Sequence, residues 1–231
     1  MKKIFIFILF LFISAQAISQ YKTVLFGLRA GANLAWLNPD TEGYDSDGVK
    51  PGFSWGFTGE FYMMENYAIT TGFNMNFTGG KMNYPYSLHI PGTDSTILSP
   101  GVMNRDYSFK YLQIPLCLKM QTELSERVTI FGKIGLGTAF NLDAKATGHF
   151  EADDGQIHED KKNIGDDIAL MRESLLIGGG VEITIKGSTA VIIDFMYDNA
   201  FNNILSGDNP FVPDKPRAVQ NFVELGAGIV F

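Results

Sequence analysis

Residues 53–60 read FSWGFTGE, in which large apolar side chains alternate with serine, glycine, threonine and glutamate. Successive side chains of a β-strand point to opposite faces, so one face of this segment carries Phe53 and Trp55 while the other carries Ser54 and Glu60. The same alternation recurs along the chain and predicts an all-β protein. We predict eight strands, close to Val24–Trp36, Gly52–Met64, Tyr67–Gly79, Tyr107–Met120, Arg127–Phe140, Glu173–Ile185, Thr189–Phe201 and Ala218–Phe231.

The two faces of these strands differ consistently in polarity. In the last strand Val223 and Leu225 share the apolar face, while Glu224 and Gly226 share the other. The alternative is a water-soluble barrel, but with the charged and glycine residues inside it would expose aromatic residues such as Trp55 to water, in a patch larger than soluble monomers tolerate. The pattern therefore favours a barrel with lipid outside and a polar lumen.

The predicted connections alternate between short and long. Three are short: Glu65-Asn66, Glu123–Glu126 and Lys186–Ser188. Four are long, polar and rich in Gly, Pro, Asp and Asn: Asn38–Pro51, Gly80–Asp106, Asn141–Arg172 and Asn202–Arg217. This is the arrangement of an eight-stranded antiparallel up-and-down transmembrane β-barrel with short periplasmic turns and four long extracellular loops. Both termini would lie on the periplasmic side.

The composition excludes several other classes of protein. The 231 residues are 45% hydrophobic and 19% charged, which is not the composition of a disordered chain. Beyond residue 20 no apolar run is long enough for a transmembrane helix. A single cysteine, Cys117, cannot form an internal disulfide or a cysteine-rich zinc site, and a net charge of −7 disfavours nucleic acid as a partner.

The first residues have the pattern of a cleaved signal peptide. Lys2 and Lys3 precede the apolar segment Ile4–Ile13, and Ala17-Ile18-Ser19 offers small residues at the cleavage site. We predict a signal peptide over residues 1–19 and an outer-membrane barrel domain over residues 20–231. Cleavage would remove Lys2 and Lys3 and take the formal net charge from −7 to −9.

Charged residues on the polar face predict an ion-paired lumen. An eight-stranded barrel is just wide enough for side chains to fill its interior. We expect Arg29 to lie between Glu60 and Glu224, and Lys133 to neighbour Glu182. The cluster has two interpretations, a path for protons or ions and a polar core that fixes the barrel, and the second is favoured. The predicted interior charge cluster is Arg29, Glu60, Lys119, Lys133, Glu182, Asp194 and Glu224.

Aromatic residues on the apolar face predict two girdles at the membrane surfaces. The terminal Phe231 also fits the C-terminal aromatic signal that the barrel-assembly machinery recognises during insertion. Pro115 lacks an N–H group, so we expect a bulge or a break in strand pairing there. The predicted girdle is Phe26, Trp36, Trp55, Tyr67, Phe77, Phe140, Tyr197 and Phe231.

Residues for chemistry are sparse. The histidines, His89, His149 and His158, all fall in predicted loops, and no nucleophile motif accompanies them. Asp45-Ser46-Asp47-Gly48 and Asp153-Asp154-Gly155 resemble fragments of calcium loops without the full spacing, so loose binding of divalent ions by these loops stays open. We predict no catalytic residue, no cofactor and no metal site.

The chain resembles the PorT-like family of small outer-membrane barrels over its whole mature length. The most specific segment is Tyr111-Leu112-Gln113-Ile114-Pro115-Leu116, followed by Leu118-Lys119; Gln113 stands where we expect an acidic residue. Weaker glycine motifs accompany it: Phe26-Gly27-Leu28-Arg29-Ala30-Gly31, Gly52-Phe53-Ser54-Trp55-Gly56, Phe131-Gly132-Lys133-Ile134-Gly135-Leu136-Gly137 and Gly178-Gly179-Gly180-Val181-Glu182.

The resemblance implies an accessory subunit of the type IX protein secretion system, which in some species also supports gliding motility. It implies outer-membrane lipid and other secretion subunits as partners, and no catalytic residues. The alternative is a structural or adhesive outer-membrane barrel of the OmpA or OmpX kind, without a secretion role.

Overall fold

The computed structural model describes residues 24–91, 96–152, 157–207 and 215–231. For 88–91, 96–99, 151–152 and 157–161 only the backbone is described. The predicted signal peptide, residues 1–19, lies outside the described residues.

Eight long strands close into an antiparallel ring, which confirms the predicted fold class. The strands are β1 (Val24–Pro39), β2 (Asp45–Ser46), β3 (Lys50–Met64), β4 (Tyr67–Pro91), β5 (Thr96–Ser125), β6 (Val128–Ala152), β7 (Ile157–Asn163), β8 (Met171–Lys186), β9 (Thr189–Ala200) and β10 (Ala218–Val230). Around the ring the order is β1, β3, β4, β5, β6, β8, β9 and β10. The two short strands lie outside the ring, where β2 pairs with β4 and β7 pairs with β6.

The first and last strands close the ring. Their register runs from Gly27 opposite Val230 to Pro39 opposite Ala218. Phe231 adds a reciprocal pair of backbone hydrogen bonds with Phe26. Both strand ends thus lie beside the two-residue turns at 65–66, 126–127 and 187–188. We call this end of the barrel the turn end and the opposite end the loop end.

Two of the predicted long loops are largely strand. β4 continues to Pro91 and β5 begins at Thr96, so Gly80–Asp106 is mostly a hairpin. β6 continues to Ala152, and β7 returns along it. The prediction of loops was wrong here because the alternation of apolar and polar residues continues through both segments. In these segments the apolar side chains point into the barrel, whereas in the membrane-spanning part they point outward. A strand crosses a bilayer with about 9–11 residues, so the 25 residues of β4 project well beyond it.

Strand pairing is interrupted at Pro115, as expected. The β4–β5 register passes from Thr71–Leu116 to Asn74–Gln113 without pairs for the two positions between. On its other side β4 approaches β3 closely at Gly72, because a Cβ atom there would lie 2.0 Å from the carbonyl oxygen of Phe57 on β3. Glycine is therefore required opposite the proline, where the ladder loses its donor.

The largest apolar core lies at the loop end, inside the projecting strands. Its members come from β1, β4, β5, β6 and β10 and from the connections before β2 and after β7 and β9. The side chains that fill its centre are fully or almost fully buried: Leu37, Tyr44, Met82, Tyr84, Met103, Tyr107, Phe109, Tyr111, Phe150, Ile164, Ile168 and Ile204. We call this group the aromatic cap. None of the helices within the described residues is long and apolar enough to cross a membrane.

Candidate functional site: the filled lumen

Strand alternation puts the charged residues of the barrel wall on the lumen side. Of the predicted cluster, Glu60, Lys119, Lys133, Glu182, Asp194 and Glu224 are buried and Arg29 is largely buried. The structure adds Arg172 and Asp198, both at most 1% exposed. These nine side chains form three tiers stacked along the lumen.

The tier nearest the turn end is built around Lys119. Its Nζ donates to Glu60 Oε2 at 2.6 Å and also to Glu182. Lys133 stands directly opposite Lys119 in the β5–β6 register, with its Nζ 3.7 Å from Glu60 Oε1. Both ammonium groups lie over the ring of Phe131, 5.0 and 4.7 Å from its centroid. Two lysines and two glutamates thus balance in charge.

The middle tier is built around Arg29. Its Nε and Nη2 atoms donate to Asp194 at 2.9–3.1 Å, and its Nη1 donates to Glu224. The Ser54 hydroxyl donates to the other oxygen of Glu224. The planar guanidinium can bind both carboxylates at once, which a lysine could not do with the same geometry. Gly226 leaves the space, because a Cβ atom there would lie 2.4 Å from Asp194 Oδ1 and 2.5 Å from Arg29 Nη2.

The tier nearest the loop end was missed by the sequence analysis. Arg172 Nη2 donates to Asp198 Oδ1 at 2.6 Å and to the carbonyl of Gln220 at 2.7 Å. The amide of Gln113 donates to the second oxygen of Asp198 at 2.7 Å. Arg172 was assigned to the end of a loop, although it shares an alternating face with Ser174. The signal for Asp198 was its spacing, four residues after the inward Asp194.

Two of the expected pairings are wrong. Glu60 binds Lys119 rather than Arg29, because Glu60 lies opposite Leu25 in the β1–β3 register, four residues nearer the turn end than Arg29. Lys133 contacts Glu60 rather than Glu182, since Lys133 lies opposite Gly178. Four residues of strand span about 13 Å. Only the expected Arg29–Glu224 pair is present.

The lumen is filled between these tiers. The cavity bordered by Lys133, Asp194 and Asp198 has a volume of about 50 Å³, which leaves room for a few water molecules. Among the described residues, wider cavities lie towards both ends of the barrel. One of about 380 Å³ opens at the turn end beside Tyr62 and Glu182.

The aromatic cap closes the loop end above the tiers. Tyr44 and Tyr84 stack with ring centroids 4.8 Å apart, and Tyr107 stacks on Phe109 at 5.9 Å. Burial raises the pKa of Tyr84 and of Tyr107 above the ordinary tyrosine value, because a phenolate would lose its hydration there. These phenols therefore stay neutral, and the cap carries the guanidinium of Arg105, whose Cζ lies 6.0 Å from the centroid of the Tyr84 ring.

The predicted girdle residues point outward at both ends of the apolar wall. At the turn end Phe26, Tyr67 and Phe231 are each more than 40% exposed. Towards the loop end Trp55 is exposed, and Trp36 stacks on Tyr197 at 6.3 Å. The two remaining members are half-buried and outward: Phe77 and Phe140.

The residues considered for chemistry do not form a site in the described part of the chain. His149 is exposed on β6, opposite Asn104; the side chains of His89 and His158 lie outside the description. Asp45 and Ser46 pair with β4 as β2, and Asp153–Gly155 lies outside the described residues. Cys117 is buried in the lumen. No group of three His, Cys, Asp or Glu residues able to hold a metal occurs among the described side chains.

The sequence model of the family described as "Outer membrane protein beta-barrel domain" matches residues 14–206. The chain belongs to this family. It is an outer-membrane β-barrel protein, in agreement with the closed ring of eight strands, its polar lumen and its apolar outer wall. Nothing in the search of curated proteins showed significant similarity to the chain.

Solved structures with a similar fold include small bacterial barrels. Neisserial surface protein A is 12% identical over 89% of this chain and 95% of its own, with a TM-score of 0.47. The attachment invasion locus protein Ail of Yersinia pestis is 17% identical, with coverages of 90% and 99% and a TM-score of 0.40. The outer membrane protease OmpT from Escherichia coli is 8% identical, with coverages of 94% and 99% and a TM-score of 0.42.

Proposed function

We propose that this outer-membrane barrel is a non-conducting, non-catalytic accessory subunit of the type IX secretion system. The observation that carries the proposal is the filled lumen. Three tiers of ion pairs and an aromatic cap leave a central cavity of about 50 Å³, far too small for a polypeptide. A secretion role must then be exercised through the outer surfaces of the barrel, as in a subunit that supports a separate conduit.

The resemblance to the PorT-like family supplies the secretion role itself. Its most specific segment, Tyr111–Lys119, lies within β5. The outward leucines of this segment face the membrane side of the wall, while Gln113 and Lys119 bind carboxylates in the lumen. An acidic residue in place of Gln113 would face Asp198 without a donor, so the departure from the expected motif suits this lumen.

Deletion of the protein tests the secretion role. We expect signal-bearing cargo to accumulate in the periplasm of the deletion strain and to reach the medium when the full chain is restored. Cross-linking of intact membranes followed by mass spectrometry should recover other secretion subunits with the restored chain. Normal cargo secretion by the deletion strain would refute the assignment.

Planar-bilayer recording tests the filled lumen separately. We expect no steady unit conductance from the purified full chain, because ion pairs occupy the path that an ion would take. Reproducible conductance steps that depend on the protein would contradict this part of the proposal and leave the deletion result to stand alone.

A structural or adhesive barrel is the second candidate function. It is favoured by the sheet of β4, β5, β6 and β7, which projects beyond the membrane at the loop end. Under this alternative the deletion strain secretes cargo normally but loses attachment or envelope integrity. The same strain therefore separates the two functions.

Export and insertion are part of the proposal. We propose cleavage after Ser19, which mass spectrometry of the mature N-terminus tests. The outward Phe231, whose backbone closes the ring against Phe26, is proposed as the signal for the barrel-assembly machinery. Deleting Phe231 should reduce insertion more than replacing it with Tyr, and equal insertion of the two variants would argue against this role.

Absence of catalysis is tested through the histidines. Replacing His89, His149 and His158 together should leave cargo secretion unchanged. A loss of secretion with normal levels of folded barrel would indicate chemistry at one of them.

A further inference from the structure

The outward face of β4, β5 and β6 changes character at a single row of paired residues. Phe77 on β4 lies opposite Lys110 on β5, which lies opposite Asp143 on β6. On the turn side of this row the outward residues of β5 are apolar and half-buried or exposed: Met120, Leu118, Leu116, Ile114 and Leu112. On the loop side they are Ser108, Asp106 and Asn104.

This row marks the surface of the hydrocarbon layer. The apolar stretch contains 11 residues on β4, from Tyr67 to Phe77, and nine on β5, from Leu112 to Met120. On β6 it contains 11, from Ile130 to Phe140. These lengths match the roughly 9–11 residues with which a tilted strand crosses a bilayer. The first charged residues beyond the row therefore lie at the level of the lipid headgroups.

Lysines predominate at this level. Lys110 lies with its Nζ 5.6 Å from the centroid of the Phe77 ring. Asp143, which lies opposite Lys110 in the register, forms an ion pair with Lys145 instead, with Lys145 Nζ 2.7 Å from Asp143 Oδ2. Lys50 reaches across Gly79 to bind Asp106 and Ser108.

A fourth lysine, Lys81, follows Phe77 by four residues on β4. Among the described side chains neither Lys110 nor Lys81 forms an ion pair. With Lys50 and Lys145, which are paired with Asp106 and Asp143, they make four outward lysines at this level.

The opposite side of the ring lacks this feature. At the same level β1 and β9 present the stacked pair Trp36 and Tyr197. On β8 the outward residue is Glu173, which accepts a hydrogen bond from Thr138 at 2.9 Å. Within β1, β8, β9 and β10 the described lysines and arginines point into the lumen or lie at the turn end, and the exposed cations near the loop end of β10 are Lys215 and Arg217, in the connection before it.

We infer that Lys50, Lys81, Lys110 and Lys145, here named the lysine strip, form a binding surface for the phosphate groups of lipid headgroups in the leaflet at the loop end. The strip is continuous with the apolar wall, so a lipid whose acyl chains lie along β4 and β5 brings its headgroup to Lys110. Lysines at a membrane surface extend their ammonium groups towards phosphates while their stems stay on apolar residues. The inference rests on the membrane location and not on the secretion role.

The two tryptophans of the chain provide matched local reporters. Trp55 on β3 contacts Phe73 of β4, with ring centroids 6.5 Å apart, and so lies on the strip side. Trp36 lies against Tyr197 on the other side. The full chain is refolded into phosphatidylcholine vesicles that contain brominated phosphatidic acid, whose bromine quenches nearby tryptophan. The variant Trp36→Phe then reports the strip side, and Trp55→Phe reports the opposite side.

We expect the strip side to select phosphatidic acid over phosphatidylcholine and the opposite side to show no selection. Each unpaired lysine should contribute about a five-fold preference. The double variant Lys81→Ala with Lys110→Ala should lose most of it, Lys110→Arg should keep it, and Lys186→Ala at the turn end should not affect it. High salt should reduce the preference.

Several results would overturn the inference. Equal quenching of the two tryptophans would do so, as would full selection by the double alanine variant. Loss of selection on adding inorganic phosphate at moderate ionic strength would mean that the strip takes a free anion rather than a lipid. The gel shift of the heated against the unheated barrel verifies folding of each variant, and Lys110→Arg controls for any change in the fold.

Discussion

The turn-end and loop-end halves of β4, β5 and β6, here called the lower and upper halves, have opposite polarity although they belong to the same strands. Between the turns and the row of Phe77, Lys110 and Asp143, the outward face is apolar and the lumen holds ion pairs. Beyond that row the outward face carries lysine, serine and aspartate, while the inward face is the aromatic cap. The cause is the surroundings of the wall, which are hydrocarbon below the row and water above it.

The comparison explains why the two halves are closed by different chemistry. In the lower half the hydrophobic residues are used on the lipid side, so the lumen must be filled by polar groups that satisfy one another. In the upper half both faces of the sheet meet water, and the inward face buries aromatic side chains as a soluble protein does. The stability of the charged tiers should therefore fall when one ion-pair partner is removed, and the stability of the cap should fall when its phenols ionise.

The largest expected effect is the removal of Lys119. The change Lys119→Met leaves Glu60 and Glu182 to share Lys133 and should lower the free energy of unfolding by about 3–5 kcal/mol. Urea unfolding in phospholipid vesicles measures this. The double variant Lys119→Met with Glu60→Gln restores the charge balance and should recover most of the loss. Equal stability of the single and double variants would show that charge balance does not govern the lower lumen.

A lysine placed on either side of the boundary row tests the reversal directly. Leu116 lies in the middle of the apolar wall and is 58% exposed to lipid. The change Leu116→Lys should cost about 2–4 kcal/mol of unfolding free energy, because the charge would enter hydrocarbon. Asn104→Lys, six rows higher on the same outward face, should have almost no effect in the same vesicles. Similar costs at both positions would move the membrane surface away from the row.

The cap should open at high pH. Burial raises the pKa of Tyr84 and Tyr107 in the folded protein above the ordinary value of about 10. Below pH 10 both states keep their protons and the cap has its full stability. Above it the unfolded chain gives up protons more readily than the folded one, so the stability of the cap falls as the pH rises. Near-ultraviolet circular dichroism follows the packing, and phenolate absorbance follows the titration.

The replacement of both tyrosines by phenylalanine controls for the pH effect. Tyr84→Phe with Tyr107→Phe should keep its near-ultraviolet signal at pH values where the unmodified cap loses it. If the signal disappears at the same pH in both proteins, titration of these two groups is not the cause.

The smallest effect is expected at the surface pair of Lys145 and Asp143. Their side chains are 63% and 40% exposed, and the 2.7 Å contact is screened by water. Lys145→Ala should change the free energy of unfolding by less than about 1 kcal/mol. Urea unfolding gives the comparison with Lys119→Met, and a cost near that of Lys119→Met would mean that exposure does not separate the two kinds of ion pair.

Sequence alone predicted the ring and the inward direction of charged side chains, because alternation has a fixed period of two. The alternation of FSWGFTGE between Phe53 and Glu60 and that of Val223 with Glu224 hold wherever the strand lies in the ring. The segment Gly80–Asp106 was predicted to be a loop because it is polar and rich in Gly, Pro, Asp and Asn, whereas it forms strands that bury Met82 and Tyr84 inside the barrel. Arg172 was missed because the predicted strand begins at Glu173, whereas β8 begins two residues earlier, at Met171.

Only the tertiary structure decided which charged residues form ion pairs with one another. Arg29 binds Asp194, 165 positions away in the chain, and Lys119 rather than Arg29 binds Glu60. Such partners depend on the register and tilt of every strand between them, and a displacement of four residues moves a side chain by about 13 Å. Alternation in the chain fixes the face on which a residue lies, because that is a local property of the backbone. The height at which it meets its partner is set by closure of the ring, which involves all eight strands at once.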